Sequence, residues 1–151
     1  MNTSKPVIVI EDNEDDQNLL KEVFQELNYE NEIIFFSEGN SAFEYLNSYK
    51  RKPFLILCDI NMPAMNGFEL RDKIYQDDEL RINCLPYIFL TTMMSPRIIL
   101  EAYSKSVQGF FVKPHSYKDM LKLIRSIMEY WGESKSPFAY LDNTANVVPP
   151  A

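Results

Sequence analysis

Two cysteines and one histidine in 151 residues leave little material for sulfur or imidazole chemistry. Cys58 ends one apolar run and Cys84 lies just before another, so both read as reduced thiols rather than a disulfide framework. A structural zinc site takes four nitrogen or sulfur ligands, more than this set readily supplies. His115 reads as an exposed loop residue rather than a phosphotransfer histidine. Long hydrophobic runs are missing too: no stretch approaches the roughly 18 apolar residues of a membrane span. Residues 1–6 carry no apolar core of a secretory signal, so a cytoplasmic protein is expected. Positive charge is also short, with 15 Lys and Arg against 22 Asp and Glu, a formal net charge of −7. A nucleic-acid backbone demands a basic face, which excludes it as the main partner. The one basic triplet, Lys50-Arg51-Lys52, reads as a solvated loop.

What the chain does have is rhythm. Five short apolar runs punctuate it: Val7 to Ile10, Ile33 to Phe36, Phe54 to Leu57, Tyr87 to Leu90 and Phe110 to Val112. Each is continuous and rich in β-branched or aromatic residues, as strands buried on both faces are. Between them run helical spacings. Leu19, Leu20, Val23, Phe24 and Leu27 form one stripe; Met120, Leu121, Ile124, Ile127, Met128 and Trp131 form the clearest. Ser116 with Asp119 predicts the start of that last helix and Gly132 its stop. Weaker patterns cover about Ser41 to Tyr49, Gly67 to Tyr75 and Pro96 to Tyr103. Strand and helix thus alternate five times, which predicts an α/β three-layer sandwich around a five-stranded parallel sheet. Residues 133–151 lose periodicity and read as a tail, flexible or docked through Phe138, Tyr140, Leu141, Val147 and Val148.

All strands of a parallel sheet end at one edge, where ligands bind. The residues just past each run therefore matter most: Glu11 and Asp12 after the first, Asp59 after the third, Thr91 and Thr92 after the fourth, Lys113 after the fifth. Crowded carboxylates resist ionising unless a cation joins them, and an all-oxygen set suits Mg²⁺. A carboxylate is also a competent nucleophile toward phosphorus. Phosphoryl transfer then asks the protein mainly to neutralise charge, which Mg²⁺ and Lys113 would do from opposite sides, with the Thr91 hydroxyl as a donor. Taken singly each residue has an ordinary role: the acids after Ile10 can serve the following helix with Asn13 as N-cap, and Asp59 can belong to the turn cluster of Asn61, Pro63 and Asn66-Gly67. Their joint placement carries the functional reading.

Those residues are also the basis of a family likeness. Val-Ile-Val-Ile-Glu-Asp-Asn (7 to 13), Leu-Cys-Asp-Ile-Asn-Met-Pro-Ala-Met-Asn-Gly (57 to 67), Phe-Leu-Thr-Thr (89 to 92) and Gly-Phe-Phe-Val-Lys-Pro (109 to 114) make residues 6–131 resemble the receiver domains of two-component response regulators. The resemblance implies a flavodoxin-like sheet of order 2-1-3-4-5, with a receiver domain over residues 1–132. It implies that Asp59 is the phosphoacceptor and Asp12 a direct Mg²⁺ ligand, with Glu11 acting through water and Asn61 offering its backbone carbonyl. Thr91 resembles the switch hydroxyl, Phe110 the switch aromatic and Lys113 the phosphate-binding lysine, with a cis bond before Pro114. The implied partners are a sensor histidine kinase or histidine phosphotransfer protein and a downstream protein target.

In such domains the switch remodels the face of the fourth helix, fifth strand and fifth helix, here Pro96 to Ser106, Phe110 and Tyr117 to Trp131. Homodimerisation through that face is a further expectation. Three departures stand out: Glu11 where aspartate is commoner, Thr92 where a smaller residue is usual, and Phe110 without a tyrosine hydroxyl. The residues beyond Trp131 are too few for a helix-turn-helix module, so output is expected through protein contacts or onward phosphotransfer. The Leu-Thr-Thr segment, the stretch from Gln76 to Leu85 and Glu129-Tyr130-Trp131 are similar to small regulators paired with phytochrome-type kinases.

Other classes fit less well. A haloacid-dehalogenase-type phosphatase needs an aspartate two residues past its nucleophile, where Asn61 stands; a flavodoxin needs a Ser-, Thr- and Gly-rich phosphate loop where this chain has Glu11 to Asp16. The expectation is a phosphoacceptor rather than an enzyme. A receiver that binds partners without phosphorylation stays open as an alternative.

Overall fold

Val7–Ile10 (β1) is flanked by Ile33–Phe36 (β2) and Leu55–Cys58 (β3) in the computed structural model, which describes residues 5–48, 52–82 and 84–135. Tyr87–Thr91 (β4) pairs with β3, and Gly109–Val112 (β5) with β4, all parallel, so the five strands stand in the order 2-1-3-4-5. Lys50, Arg51 and the apolar residues of the tail lie outside the described residues.

Alternation along the strands builds two cores. Val7, Val9, Leu55, Leu57, Ile88 and Leu90 face helices Glu14–Leu27 (α1) and Tyr117–Glu133 (α6). Ile8, Ile10, Ile56, Cys58, Tyr87 and Phe89 face the opposite layer, formed by Gly39–Ser48 (α2), Gly67–Gln76 (α3), Asp78–Ile82 (α4) and Pro96–Ser104 (α5). Removing the fully buried Ile124 or Ile8 side chain would cost about 2–5 kcal/mol each, from lost transfer energy and the cavity left behind. Both cysteines are free, Cys58 buried and Cys84 exposed.

Caps decide where helices begin. Asn13 Oδ1 accepts from Asp16 N at 3.0 Å, Ser95 Oγ from Ile98 N at 3.2 Å with Pro96 in the first turn, and Ser116 Oγ from Asp119 N at 3.1 Å. Asn66 and Glu69 form a reciprocal capping box at α3.

The structure corrects several expectations. Only β1, β3 and β4 are buried throughout; β2 and β5 are sheet edges, and their side chains are largely half-buried. Gly132 does not stop α6, which continues through Glu133 to a cap at Ser134, since nothing there requires left-handed backbone. The stretch after Gln76 contains the short helix α4, opened by Asp77 Oδ1 accepting from Leu80 N at 3.0 Å. The helix starting at Pro96, expected as the fourth, is therefore α5, and the last is α6.

Candidate functional site

Strand register delivers the charged residues to one edge. Ile10 pairs with Cys58 and Thr91 with Val112, so Glu11, Asp59 and Lys113 follow directly at the carboxyl ends of β1, β3 and β5. Backbone bonds extend the ladder by one step: Asp59 N donates to Ile10 O at 3.0 Å, and Lys113 N to Thr91 O at 2.8 Å. Gln17 steadies the first loop, its side-chain amide donating to the Glu11 carbonyl and to Ser37 Oγ.

Lys113 is the hub. Its ammonium donates to Glu11 Oε2 at 2.9 Å, Asp16 Oδ2 at 2.9 Å and Asp59 Oδ2 at 3.1 Å, which uses all three N–H groups. The free oxygens of the inner acids are also engaged: Ile60 N donates to Asp59 Oδ1 at 2.7 Å and Asn13 N to Glu11 Oε1 at 3.1 Å. Asp16 is the residue that sequence reasoning missed. The Asn13 cap makes Asp16 the third residue of α1, but its meeting with Lys113 depends on where the end of β5 lies, 97 positions along the chain.

Negative charge exceeds positive here. Burial, reinforced by the charge of Asp59, pushes the Glu11 carboxyl up to about 7 even though Lys113 pulls the other way. For Lys113, burial opposes the charge, but hydrogen bonds to Asp16 and Glu11 and the charges of Glu11 and Asp59 outweigh it, so its pKa stands above the usual lysine value. Carboxylate oxygens of Glu11, Asp12 and Asp59 lie within 4.8 Å of one another. An all-oxygen set with a carboxyl reluctant to ionise fits a hard divalent cation, which would relieve the repulsion.

The response regulator receiver domain model matches residues 7–125. This chain belongs to that family. It is 29% identical over 136 residues to the probable methanogenesis regulatory protein FilR2 of Methanothrix harundinacea, covering 87% of this chain and 86% of that protein. It is 28% identical over 138 residues to response regulator Rcp1 of Synechocystis, covering 88% and 92%. Among solved structures it is similar to the phosphorylated cyanobacterial phytochrome response regulator RcpA, with a TM-score of 0.80 at 25% identity, covering 89% and 99% of the two chains. The Mn(2+)-bound form of Rcp1 matches with a TM-score of 0.76 at 27% identity, covering 88% and 99%.

The other residues expected at the site stand outside the hydrogen-bonded cluster around Lys113. Thr91 is fully buried, and its hydroxyl accepts from Met93 N at 3.3 Å instead of reaching the carboxylates. Thr92 and Asn61 are exposed in the loops after β4 and β3. Phe110 is half-buried, its ring edge-on to Phe89 at 6.3 Å. The bond before Pro114 corrects an expectation: it is trans, and no peptide bond among the described residues is cis. The trans form is the lower in energy by about 0.5–1 kcal/mol for an X–Pro bond.

Proposed function

We propose that this receiver domain, residues 1–132 with a C-terminal tail, accepts a phosphoryl group on Asp59 from a histidine kinase or histidine phosphotransfer protein. The observation that carries the reading is the Lys113 ammonium, 3.1 Å from Asp59 Oδ2 beside the three-carboxylate cluster. Asp59 Oδ2 attacks phosphorus, the P–N bond to the donor imidazole breaks, and the imidazole leaves with the electron pair and takes up a proton. Lys113 neutralises charge on the transferring oxygens. Asp12, Asp59, the Asn61 carbonyl and, through water, Glu11 would hold Mg²⁺, which would supply balancing positive charge.

Thr91 then exchanges its Met93 partner for a phosphoryl oxygen, and Phe110 turns inward. Thr92 stands at the mouth and limits access by water to the acyl phosphate. The altered surface is that of α5, β5 and α6, where Leu100 and Tyr103 of α5, Val112 of β5 and Tyr130 of α6 are exposed at 74%, 52%, 40% and 66%. Exposed large apolar side chains on these elements suit a protein target or a second copy of the domain. The domain acts in the cytoplasm as a phosphoacceptor that assists its own phosphorylation and dephosphorylation, and it turns over no separate substrate.

Intact-mass measurement after incubation with acetyl phosphate tests the reading. A single Mg²⁺-dependent phosphoryl adduct, labile to hydroxylamine and missing from Asp59→Asn, is the expected result. An adduct that persists in Asp59→Asn overturns the assignment.

A further inference from the structure

Four carboxylates stand near one ammonium, and they are not equivalent. The oxygens of Glu11, Asp12 and Asp59 converge as a cation site would require. Asp16 stands apart from that group, yet its Oδ2 is as close to Lys113 Nζ as Glu11 is, at 2.9 Å. The Glu11 and Asp59 side chains are 3% and 10% exposed, whereas Asp16 is 37% exposed, on the solvent side of the ammonium. An acid in the first turn of α1 is favourable to the helix wherever its side chain points. That preference does not account for Oδ2 reaching across to the end of β5.

We propose that Asp16 is a positioning residue that acts through Lys113: it shares the ammonium's charge at the mouth of the site, weakening its pull on an incoming phosphoryl group and strengthening the site's hold on a divalent cation. The inference rests on the reading of Asp59 as phosphoacceptor. Lys113 has three N–H groups, each already committed to a carboxylate. A phosphoryl group on Asp59 takes over the bond that Asp59 Oδ2 now receives, while Asp16 retains its own. The ammonium therefore meets the phosphoryl group partly neutralised. Coulomb's law gives the two ligands opposite responses to the Asp16 charge, repelling the anion and attracting the cation. Asp16→Asn removes that charge and keeps the size and one acceptor oxygen.

The test uses the full chain as wild type, Asp16→Asn, Asp16→Glu and Asp15→Asn, the last changing a neighbouring first-turn acid. Calorimetry measures binding of Mg²⁺ alone, then of beryllofluoride, a mimic of a carboxylate-bound phosphoryl group, at saturating Mg²⁺. Asp16→Asn is expected to bind Mg²⁺ about threefold more weakly and beryllofluoride about threefold more tightly, a modest change because Asp16 is part-exposed, and one that shrinks as salt is raised. Asp16→Glu should return both affinities toward wild type, and Asp15→Asn should leave them near it. A purely structural role predicts that both affinities fall together in Asp16→Asn, which overturns the proposal, as does no change, or an equal change in Asp15→Asn. If the wild type itself binds no beryllofluoride and forms no acyl phosphate, the reading of Asp59 fails and this inference falls with it.

Discussion

Gly67 begins α3 directly against the backbone of Asp59: a Cβ there would stand 2.4 Å from the Asp59 carbonyl oxygen and 2.8 Å from the Phe89 ring. The hydrogen bond from Gly67 N to Ile60 O, at 2.8 Å, holds the helix in that position. Its backbone is not left-handed, so close approach rather than torsional freedom is what demands glycine. Gly67→Ala gains helix propensity yet must displace the backbone of Asp59. It is expected to destabilise the domain by about 1–3 kcal/mol in urea unfolding. A stabilised variant would show that α3 can slide away without loss.

Lys113→Met leaves Glu11, Asp16 and Asp59 without their shared ammonium. Breaking a buried charge cluster from one side typically costs about 3–5 kcal/mol, and the exposed part of Asp16 reduces that here. Stability at neutral pH without divalent metal should therefore fall by about 3 kcal/mol. Mg²⁺ should bind more tightly, because the competing cation is gone. Calorimetric titration showing weaker Mg²⁺ binding in this variant would contradict the electrostatic account.

Glu11 makes stability depend on pH with a definite sign. Its carboxyl stands at about 7 in the fold against an ordinary 4.5, so between those values the folded state holds a proton that the unfolded chain has released. Stability of the metal-free protein should thus rise as pH falls from about 7 toward 5, by up to about 3 kcal/mol, the equivalent of the shift. The comparison that isolates the residue is wild type against Glu11→Gln across that range in a chelator. Saturating Mg²⁺ should flatten the wild-type curve, since a bound cation favours the ionised carboxylate. Parallel curves for the two proteins would mean that Glu11 ionises normally.

Arg71 ties α3 to the turn between α5 and β5. It is buried, donating from Nε to Lys105 O at 3.0 Å and from Nη2 to Ser106 O at 2.7 Å, where Ser106 has a φ of 58°. Burial lowers its pKa, and the rings of Tyr75 and Tyr87 stack within 5.5 Å and 5.4 Å of the guanidinium carbon. Arg71→Met should cost about 2–4 kcal/mol, from the two lost hydrogen bonds, the Lys105 carbonyl left without a donor while Ser106 O keeps Gln108 Nε2, and the lost stacking. Arg71→Lys should recover little, because one ammonium cannot reproduce the planar fork. Chemical denaturation of the three proteins side by side decides it.

Sheet, helix alternation and the charged strand ends were legible in the residues, because each depends on local pattern. Four-residue apolar runs announce strands, and Asn13 and Ser116 announce helix starts. Asp16 was not legible in this way. Nothing in Glu14-Asp15-Asp16 separates the acid that meets Lys113 from its two neighbours until the helix phase and the end of β5 are both placed. The short helix α4 and the clip made by Arg71 were hidden for the same reason, since their partners are remote in sequence or lie in weakly patterned segments.

The sequence by itself therefore determined the strand count, the fold class and the identity of the acids and lysine at the strand ends, through side-chain period and chemistry. Only the tertiary structure decided which strands were edges, that the bond before Pro114 is trans, that Thr91 turns to Met93, and that one ammonium gathers three carboxylates. Those outcomes depend on distances between residues up to 102 positions apart, and such distances arise only when packing closes the sheet's edge around them.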